Sequence, residues 1–136
     1  MIFVDASYLV AFANPADVLH ARARAWSDVI DEPLLTTDFV LCEFVNLLSK
    51  AKDRRRAAAT LIWFNSVTGA QRVAASRPLF DAGLFLHQQR PDKEWSLTDC
   101  ISFHVMQQFQ ITRALTHDHH FEQAGFTALL RHDPPI

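Results

Sequence analysis

The stretch "IFVDAS", Ile2 to Ser7, places a three-residue apolar run directly before an aspartate. A short apolar run bounded by a polar residue is typical of a buried strand. The residues that follow predict a short helix over 7–13, which the Asn14-Pro15 pair ends. The segment therefore predicts a strand that ends at Asp5 and leads into a helix.

The rest of the chain continues this alternation of short apolar runs and helical patterns. Further strands are predicted over 33–37, 72–76, 112–116 and 126–130. Further helices are predicted from residue 15, over 38–50, 53–69 and 76–90, from "SLTD" (96–99) onward, and within "HDHHFEQAG" (117–125). Strands that alternate with helices indicate an α/β fold with a mostly parallel sheet.

Composition limits the class of protein. The 136 residues are 49% hydrophobic and 21% charged, which excludes intrinsic disorder, and no linker or repeat interrupts them. We therefore expect a single domain over 1–136. The net charge of −2 predicts no overall attraction to nucleic acid or membrane, so such a partner would need a local patch.

The sequence also carries predictions about location and redox state. The first residues lack a basic region before their apolar run, and no stretch approaches the roughly 18 apolar residues of a membrane span. A cytoplasmic protein with no membrane contact is expected. Cys42 and Cys100 lie in apolar helical segments and are predicted to be reduced and buried.

Four carboxylates stand out by their positions. Asp5 ends the first strand and Asp118 follows the fourth, and the carboxyl ends of parallel strands share one edge of a sheet. Asp99 opens a helix after a loop that can reach that edge. Glu43 has mostly apolar helical neighbours, and an acid among core residues is costly unless it is paired or bound to a metal.

Each acid also has a structural interpretation. Asp99 completes a capping box with Ser96, Asp118 can cap a helix, Asp5 can belong to a turn, and Glu43 can form a buried salt bridge. If the four converge, their repulsion raises their pKa values unless a divalent cation lies among them. Carboxylate oxygens suit Mg²⁺ or Mn²⁺.

Four segments resemble one known family. "VDAS" (4–7), "LCEFVNLL" (41–48), "SLTDCISF" (96–103) and "ALTHDHHFEQAGF" (114–126) are similar to the PIN-domain ribonucleases, in particular the VapC-type toxins of toxin–antitoxin modules. The resemblance covers nearly the whole chain. It implies a three-layer α/β/α sandwich with a central mostly parallel sheet and a metal-dependent endoribonuclease that hydrolyses single-stranded or structured RNA.

The resemblance also implies roles for particular residues. Asp5, Glu43, Asp99 and Asp118 would be the catalytic acids that hold Mg²⁺ or Mn²⁺. Ser7 would help to hold the metal or its water, and the hydroxyls of Thr98 and Thr116 would orient the carboxylates. The expected products carry 5′-phosphate and 3′-hydroxyl ends.

The histidines beside Asp118 fit the family pattern less well. Residues 117, 119 and 120 are all histidine, and surface side chains around a helix start are the preferred interpretation. Alternatively, one of them contacts the scissile phosphate, with His119 as the candidate, or a softer metal. An HD-type phosphohydrolase is disfavoured, because His20, His87 and His104 lack the spacing that it needs.

RNA and protein partners are expected as well. The basic start of the fourth helix, Arg54, Arg55 and Arg56, is either a phosphate-binding edge or a solvated helix end. The family resemblance implies a cognate antitoxin and a homodimer, for which Leu19, Trp26 and Trp63 offer apolar surface. The alternative function is a non-catalytic PIN-like module that binds RNA or protein.

Overall fold

Five parallel strands form the centre of the molecule. The computed structural model describes residues 1–135, so Ile136, the last residue of the predicted domain, lies outside the described residues. The strand order is β3-β2-β1-β4-β5, and all neighbours are parallel. The strands are β1 (Ile2–Val4), β2 (Leu34–Thr37), β3 (Gln71–Val73), β4 (Arg113–Leu115) and β5 (Thr127–Ala128).

Helices cover both faces of the sheet. They are α1 (Ala6–Ala13), α2 (His20–Val29), α3 (Asp38–Leu47), α4 (Arg54–Ser66), α5 (Arg77–Gln89), α6 (Leu97–Gln108) and α7 (His119–Gln123). The chain moves outward from β1 to β3 and then returns to β4 and β5. Right-handed crossovers therefore place α1–α4 on one face and α5–α7 on the other. The predicted α/β/α sandwich is confirmed.

Several element boundaries differ from the sequence prediction: α3 ends at Leu47 and not at residue 50, and α4 ends at Ser66 and not at residue 69. At two other boundaries, side chains bind backbone groups that regular structure would use. The second helix begins at His20 and not at residue 15, since the Asn14 and Asp17 side chains accept the N–H groups of Ala16 and Leu19. β3 stops at Val73, and Asp38 binds the N–H of Ala75. The predicted strand over 126–130 pairs only at residues 127–128, and a 3₁₀ turn follows.

The strand order creates a crevice between β1 and β4. The chain leaves these two neighbours in opposite directions, and open α/β sheets bind ligands at such a point, outside the carboxyl ends of the strands. The register pairs Val4 with Leu115, so that Asp5 and Thr116 emerge side by side. The N–H of Asp5 donates to the carbonyl of Leu115 at 3.2 Å, which fixes this alignment.

Burial corrects the predictions made for four apolar residues. Cys100 is buried as expected, but Cys42 is exposed, because α3 turns Leu41 and Phe44 inward and Cys42 outward. Trp26 is buried, and Leu19 and Trp63 pack partly against the core, so these three do not form an exposed face. Among residues 1–135, no helix has both the length and the apolar character needed to cross a bilayer.

Tight packing fixes the elements that carry the acids. Phe121 of α7 is fully buried, with ring centroids 6.4 Å from Phe3 and 4.9 Å from Phe103. In α5, a Cβ placed on Gly83 would lie 2.2 Å from Cγ1 of Ile101. Helices α5 and α6 therefore lie very close together at Ile101, two residues after Asp99.

Candidate active site

Asp5 is held by two hydroxyl groups at the carboxyl end of β1. Its Oδ2 accepts hydrogen bonds from Thr116 Oγ1 at 2.7 Å and from Ser7 Oγ at 3.1 Å. The same two hydroxyls accept the backbone N–H groups of Asp118 and His117. The network joins β1, α1 and the end of β4, and it fixes one oxygen of a carboxylate that is only 5% exposed.

Asp99 caps α6 and also faces the crevice. Ser96 Oγ accepts the N–H of Asp99 at 3.0 Å, and Asp99 Oδ2 accepts the N–H of Ser96 at 3.2 Å, which completes the predicted capping box. Asp99 Oδ2 also lies 3.1 Å from Nδ1 of His120. Asp99 therefore caps α6, and its Oδ2 also contacts His120 of α7.

Asp118 lies at the start of α7 in the capping position that the sequence allowed. Its Oδ1 accepts the N–H of His120 at 2.9 Å, and its side chain is 30% exposed. Within residues 1–135, neither Oδ2 of Asp118 nor Oδ1 of Asp99 accepts a hydrogen bond. Each of these carboxylates thus keeps one oxygen available for a further ligand.

Glu43 lies at the edge of α3 and not in the core. It is half-buried and lines an open hollow of about 360 Å³ with Phe39, Cys42, Asn46, Leu47 and Thr98. The Thr98 hydroxyl stabilises the ionised carboxylate. Within the described residues, no lysine or arginine lies within 4.0 Å of Glu43, so the alternative of a buried salt bridge is wrong.

The four carboxylates influence one another. Burial raises the pKa of Asp5 to about 7, the Thr116 hydrogen bond opposes the rise, and the charges of Asp99 and Glu43 add to it. Burial, followed by the charge of Asp118, raises the pKa of Asp99. Burial, followed by the charge of Asp99, raises the pKa of Glu43, where Asp118 also contributes.

The structure thus places the four predicted acids at one edge of the sheet, where their charges act on one another, but among residues 1–135 no three of them have ligand atoms within 4.8 Å of one another. In the part of the chain that the structure describes, none of the four forms an ion pair with lysine or arginine, and the side chains of His119 and His120 lie within 4.0 Å of Asp99 or Asp118. Oxygen donors with uncompensated negative charge suit a hard divalent cation. The residues therefore fit a divalent cation.

His120 lies between two of the acids and not on the open surface, which the surface interpretation did not predict. Its side chain is 19% exposed, and Nδ1 lies 3.1 Å from Asp99 Oδ2 and 3.4 Å from Asp118 Oδ1. His119 is largely exposed, while His117 lines a second hollow with Ser7 and Asp118. The signal in the sequence was a histidine two residues after an N-cap acid, in the first turn of the helix.

The predicted RNA-binding arginines lie on the surface. Arg54, Arg55 and Arg56 are exposed at the start of α4. The Arg54 side chain donates to the carbonyl of Ser49, and Arg56 pairs with Asp53 at 3.5 Å. None of the three contacts any of the four acids within residues 1–135.

Two open hollows beside Glu43 and Asp118 form an open groove at this edge of the sheet. The hollow that Glu43 and Thr98 line and the hollow that Asp118 and Ser7 line, about 350 Å³, share Leu47 as a wall. Leu47 is 61% exposed. Glu43 and Asp118 are thus accessible from two neighbouring open depressions, which suits an extended substrate better than a small enclosed one.

Comparison with known proteins assigns this fold and site to a class. The sequence model of the PIN domain matches residues 2–127. The chain therefore belongs to the PIN domain family.

One protein within this family is similar to the chain in both sequence and structure. The chain is 33% identical over 128 residues to the 23S rRNA-specific endonuclease VapC20 of Mycobacterium tuberculosis, which covers 93% of this chain and 95% of that protein. The crystal structure of VapC20, a Sarcin-Ricin loop cleaving toxin, matches with a TM-score of 0.87 and 28% identity over 95% of this chain and 98% of that one. These relatives make the chain an RNA endonuclease of the VapC toxin type.

A more distant structure shares the fold alone. FitAcB from Neisseria gonorrhoeae matches with a TM-score of 0.69 and 16% identity, over 97% of this chain and 99% of that one. The α/β/α arrangement therefore persists where little of the sequence does.

Proposed function

We propose that this ribonuclease depends on a divalent cation, Mg²⁺ or Mn²⁺, held by Asp5, Glu43, Asp99 and Asp118. The observation that carries the proposal is the convergence of four acids without a lysine or arginine partner among the described residues at the β1–β4 crevice. When bound, the cation supplies a water of lowered pKa and stabilises charge on the phosphate.

The chain's own residues prepare this site. Ser7 and Thr116 fix one oxygen of Asp5, and the Thr98 hydroxyl, which acts to lower the pKa of Glu43, would orient that carboxylate. Hydrolysis adds water across the P–O3′ bond, which leaves a 5′-phosphate and a 3′-hydroxyl. The reaction needs no attack by the ribose 2′-hydroxyl.

We further propose a structured ribosomal RNA loop as substrate. The support is the identity to VapC20, a 23S rRNA-specific endonuclease, over nearly the full length of both proteins. Arg54, Arg55, Arg56 and His119 are exposed cationic or polar groups that would contact the RNA backbone. The open groove beside the acids would accept the RNA strand that is cleaved.

The remaining parts of the proposal concern the context of the enzyme. We infer one PIN-like domain over 1–136, a cytoplasmic location, a cognate antitoxin and a homodimer. The support is the similarity to VapC20 along the whole chain. Size-exclusion chromatography with light scattering tests the homodimer, and co-purification with the product of an adjacent gene tests the antitoxin.

Mapping of cleavage ends tests the catalytic proposal. Purified protein is incubated with total RNA and Mg²⁺ or Mn²⁺, and new 5′ ends are located by sequencing. We expect discrete cuts with 5′-phosphate ends that disappear with chelator and fall at least 100-fold in Asp99→Asn. A matched control is Asp92→Asn, an exposed acid in the loop before α6 that pairs with Arg90. Cleavage that survives both chelator and Asp99→Asn would refute the proposal, and absence of cleavage and of Mn²⁺ binding would favour the non-catalytic module.

A further inference from the structure

We propose that the metal site of this chain includes imidazole nitrogen. His120 and His119 would join Asp118 as ligands, with Asp99 hydrogen-bonded to His120, and would make the site prefer Mn²⁺ and related transition metals over Mg²⁺. The inference deepens the proposed metal-dependent activity and rests on it for the shared carboxylates.

The spacing of donor atoms carries the inference. Nδ1 of His120 lies 3.1 Å from Asp99 Oδ2 and 3.4 Å from Asp118 Oδ1. Ligand atoms bound to one ion at about 2.1 Å lie about 3.0 Å apart in octahedral geometry and about 3.4 Å apart in tetrahedral geometry. Relative to Asp118 Oδ1, the nitrogen is thus placed like a neighbouring ligand of one ion, whereas Asp99 Oδ2 is the hydrogen-bond partner of His120.

A second imidazole lies in the same cluster. Asp118, His119 and His120 each offer a ligand atom, and these atoms all lie within 4.8 Å of one another. The two rings are 4.5 Å apart, and Nδ1 of His119 is 3.7 Å from Asp118 Oδ1. Among residues 1–135, this is the only group of three such side chains with that spacing.

The fold holds the cluster in place. Phe121, the residue after His120, is fully buried against Phe103 and Phe3. Its side chain therefore holds α7 against the core. The N–H of His120 is bound by Asp118, which fixes the backbone that carries the ring.

The chemistry of the donors decides which metals would benefit. Mg²⁺ takes oxygen ligands almost exclusively and retains several waters, whereas imidazole suits transition metals. One or two imidazole ligands beside carboxylates therefore increase the affinity of a site for Mn²⁺ or Co²⁺ and change its affinity for Mg²⁺ little. The four acids alone predict no such preference.

Pulsed electron paramagnetic resonance of bound Mn²⁺ tests the inference directly. The untagged full chain is loaded with Mn²⁺, and modulation from ¹⁴N is recorded. We expect nitrogen modulation in the wild type, its loss in the double variant His119→Gln/His120→Gln, and its retention in His117→Gln, the histidine on the other side of Asp118. In competition titrations, the ratio of Mg²⁺ to Mn²⁺ dissociation constants should fall at least 10-fold in His120→Gln.

The outcomes separate this inference from the proposed function. Bound Mn²⁺ without nitrogen modulation, or an unchanged metal preference in His120→Gln, overturns the inference even if RNA is cut. Nitrogen modulation together with RNA cleavage that survives chelator supports the mixed site and overturns the proposed metal-dependent catalysis. Failure to bind Mn²⁺ overturns both. Circular dichroism of each variant verifies that the fold is retained.

Discussion

At the scale of single residues, the hydroxyls of Ser7 and Thr116 prepare the site. Each accepts a backbone N–H and donates to the same oxygen of Asp5. A buried, ionised carboxylate without these two hydrogen-bond donors would have a larger unfavourable desolvation energy. The two hydroxyls therefore favour the ionised form that a cation needs.

Replacing Thr116 by valine tests the contribution of its hydrogen bonds separately from that of its side-chain volume. Thr116→Val keeps the volume but leaves Asp5 and the N–H of Asp118 without their buried partner. We expect the free energy of unfolding to fall by about 1–3 kcal/mol, and Mn²⁺ affinity to fall with it. Chemical denaturation and calorimetric titration measure the two effects. Thr127→Val, on an exposed position of β5, serves as the control, and equal behaviour of the two variants would contradict the argument.

At the scale of elements, Asp99 depends on how closely α5 and α6 pack. Gly83 allows this approach, since a Cβ there would lie 2.2 Å from a side-chain atom of Ile101 and 3.1 Å from its Cα. A backbone neighbour cannot move aside as a flexible side chain can. Any residue larger than glycine must therefore separate the two helices beside the capping box.

Gly83→Ala tests this contact. Alanine favours a helix over glycine by about 1 kcal/mol, so an uncrowded site would be stabilised. We expect instead a net loss of about 1–3 kcal/mol from overpacking, together with weaker metal binding as Asp99 shifts. Thermal unfolding of Gly83→Ala beside Gln88→Ala, an exposed position of α5, gives the comparison. A rise in melting temperature for Gly83→Ala would show that the helices separate without cost.

At the scale of the whole molecule, the convergence of the acids makes stability depend on pH and metal. The folded-state pKa of Asp5 is raised from 3.8 to about 7, and those of Glu43 and Asp99 are also raised. The folded protein thus holds protons that the unfolded chain has already released. Stability from these protons is fully present below the unfolded pKa and is lost as the pH rises through the folded pKa.

We therefore expect the metal-free protein to lose stability between about pH 4 and pH 7, the interval between the two pKa values of Asp5. Added Mn²⁺ should restore stability above pH 7, because a cation replaces the lost protons. Denaturant titrations with chelator or Mn²⁺ at several pH values measure both effects. Asp5→Asn should flatten the curve and weaken the response to metal. A pH slope that is unchanged in Asp5→Asn would exclude Asp5 as its source.

Much of the fold could be predicted because its signals are local. Apolar runs that end at polar residues marked the strands, and the capping residues of α3, α5 and α6 marked where helices begin. The start of α2 was mispredicted because the pattern of Pro15 and its neighbours does not reveal that Asn14 and Asp17 bind nearby backbone groups. Cys42 was mispredicted because periodicity alone did not show which side of α3 faces the core.

The sequence by itself determined the alternation of strands and helices and the presence of an acid after β1 and β4, because both follow from local residue order. Only the tertiary structure decided that Glu43 lies at the edge of the groove without a basic partner among the described residues, and that His120 lies between Asp99 and Asp118. These positions depend on how α3, α6 and α7 pack around one crevice. Packing between distant segments sets such distances, and no spacing along the chain encodes them.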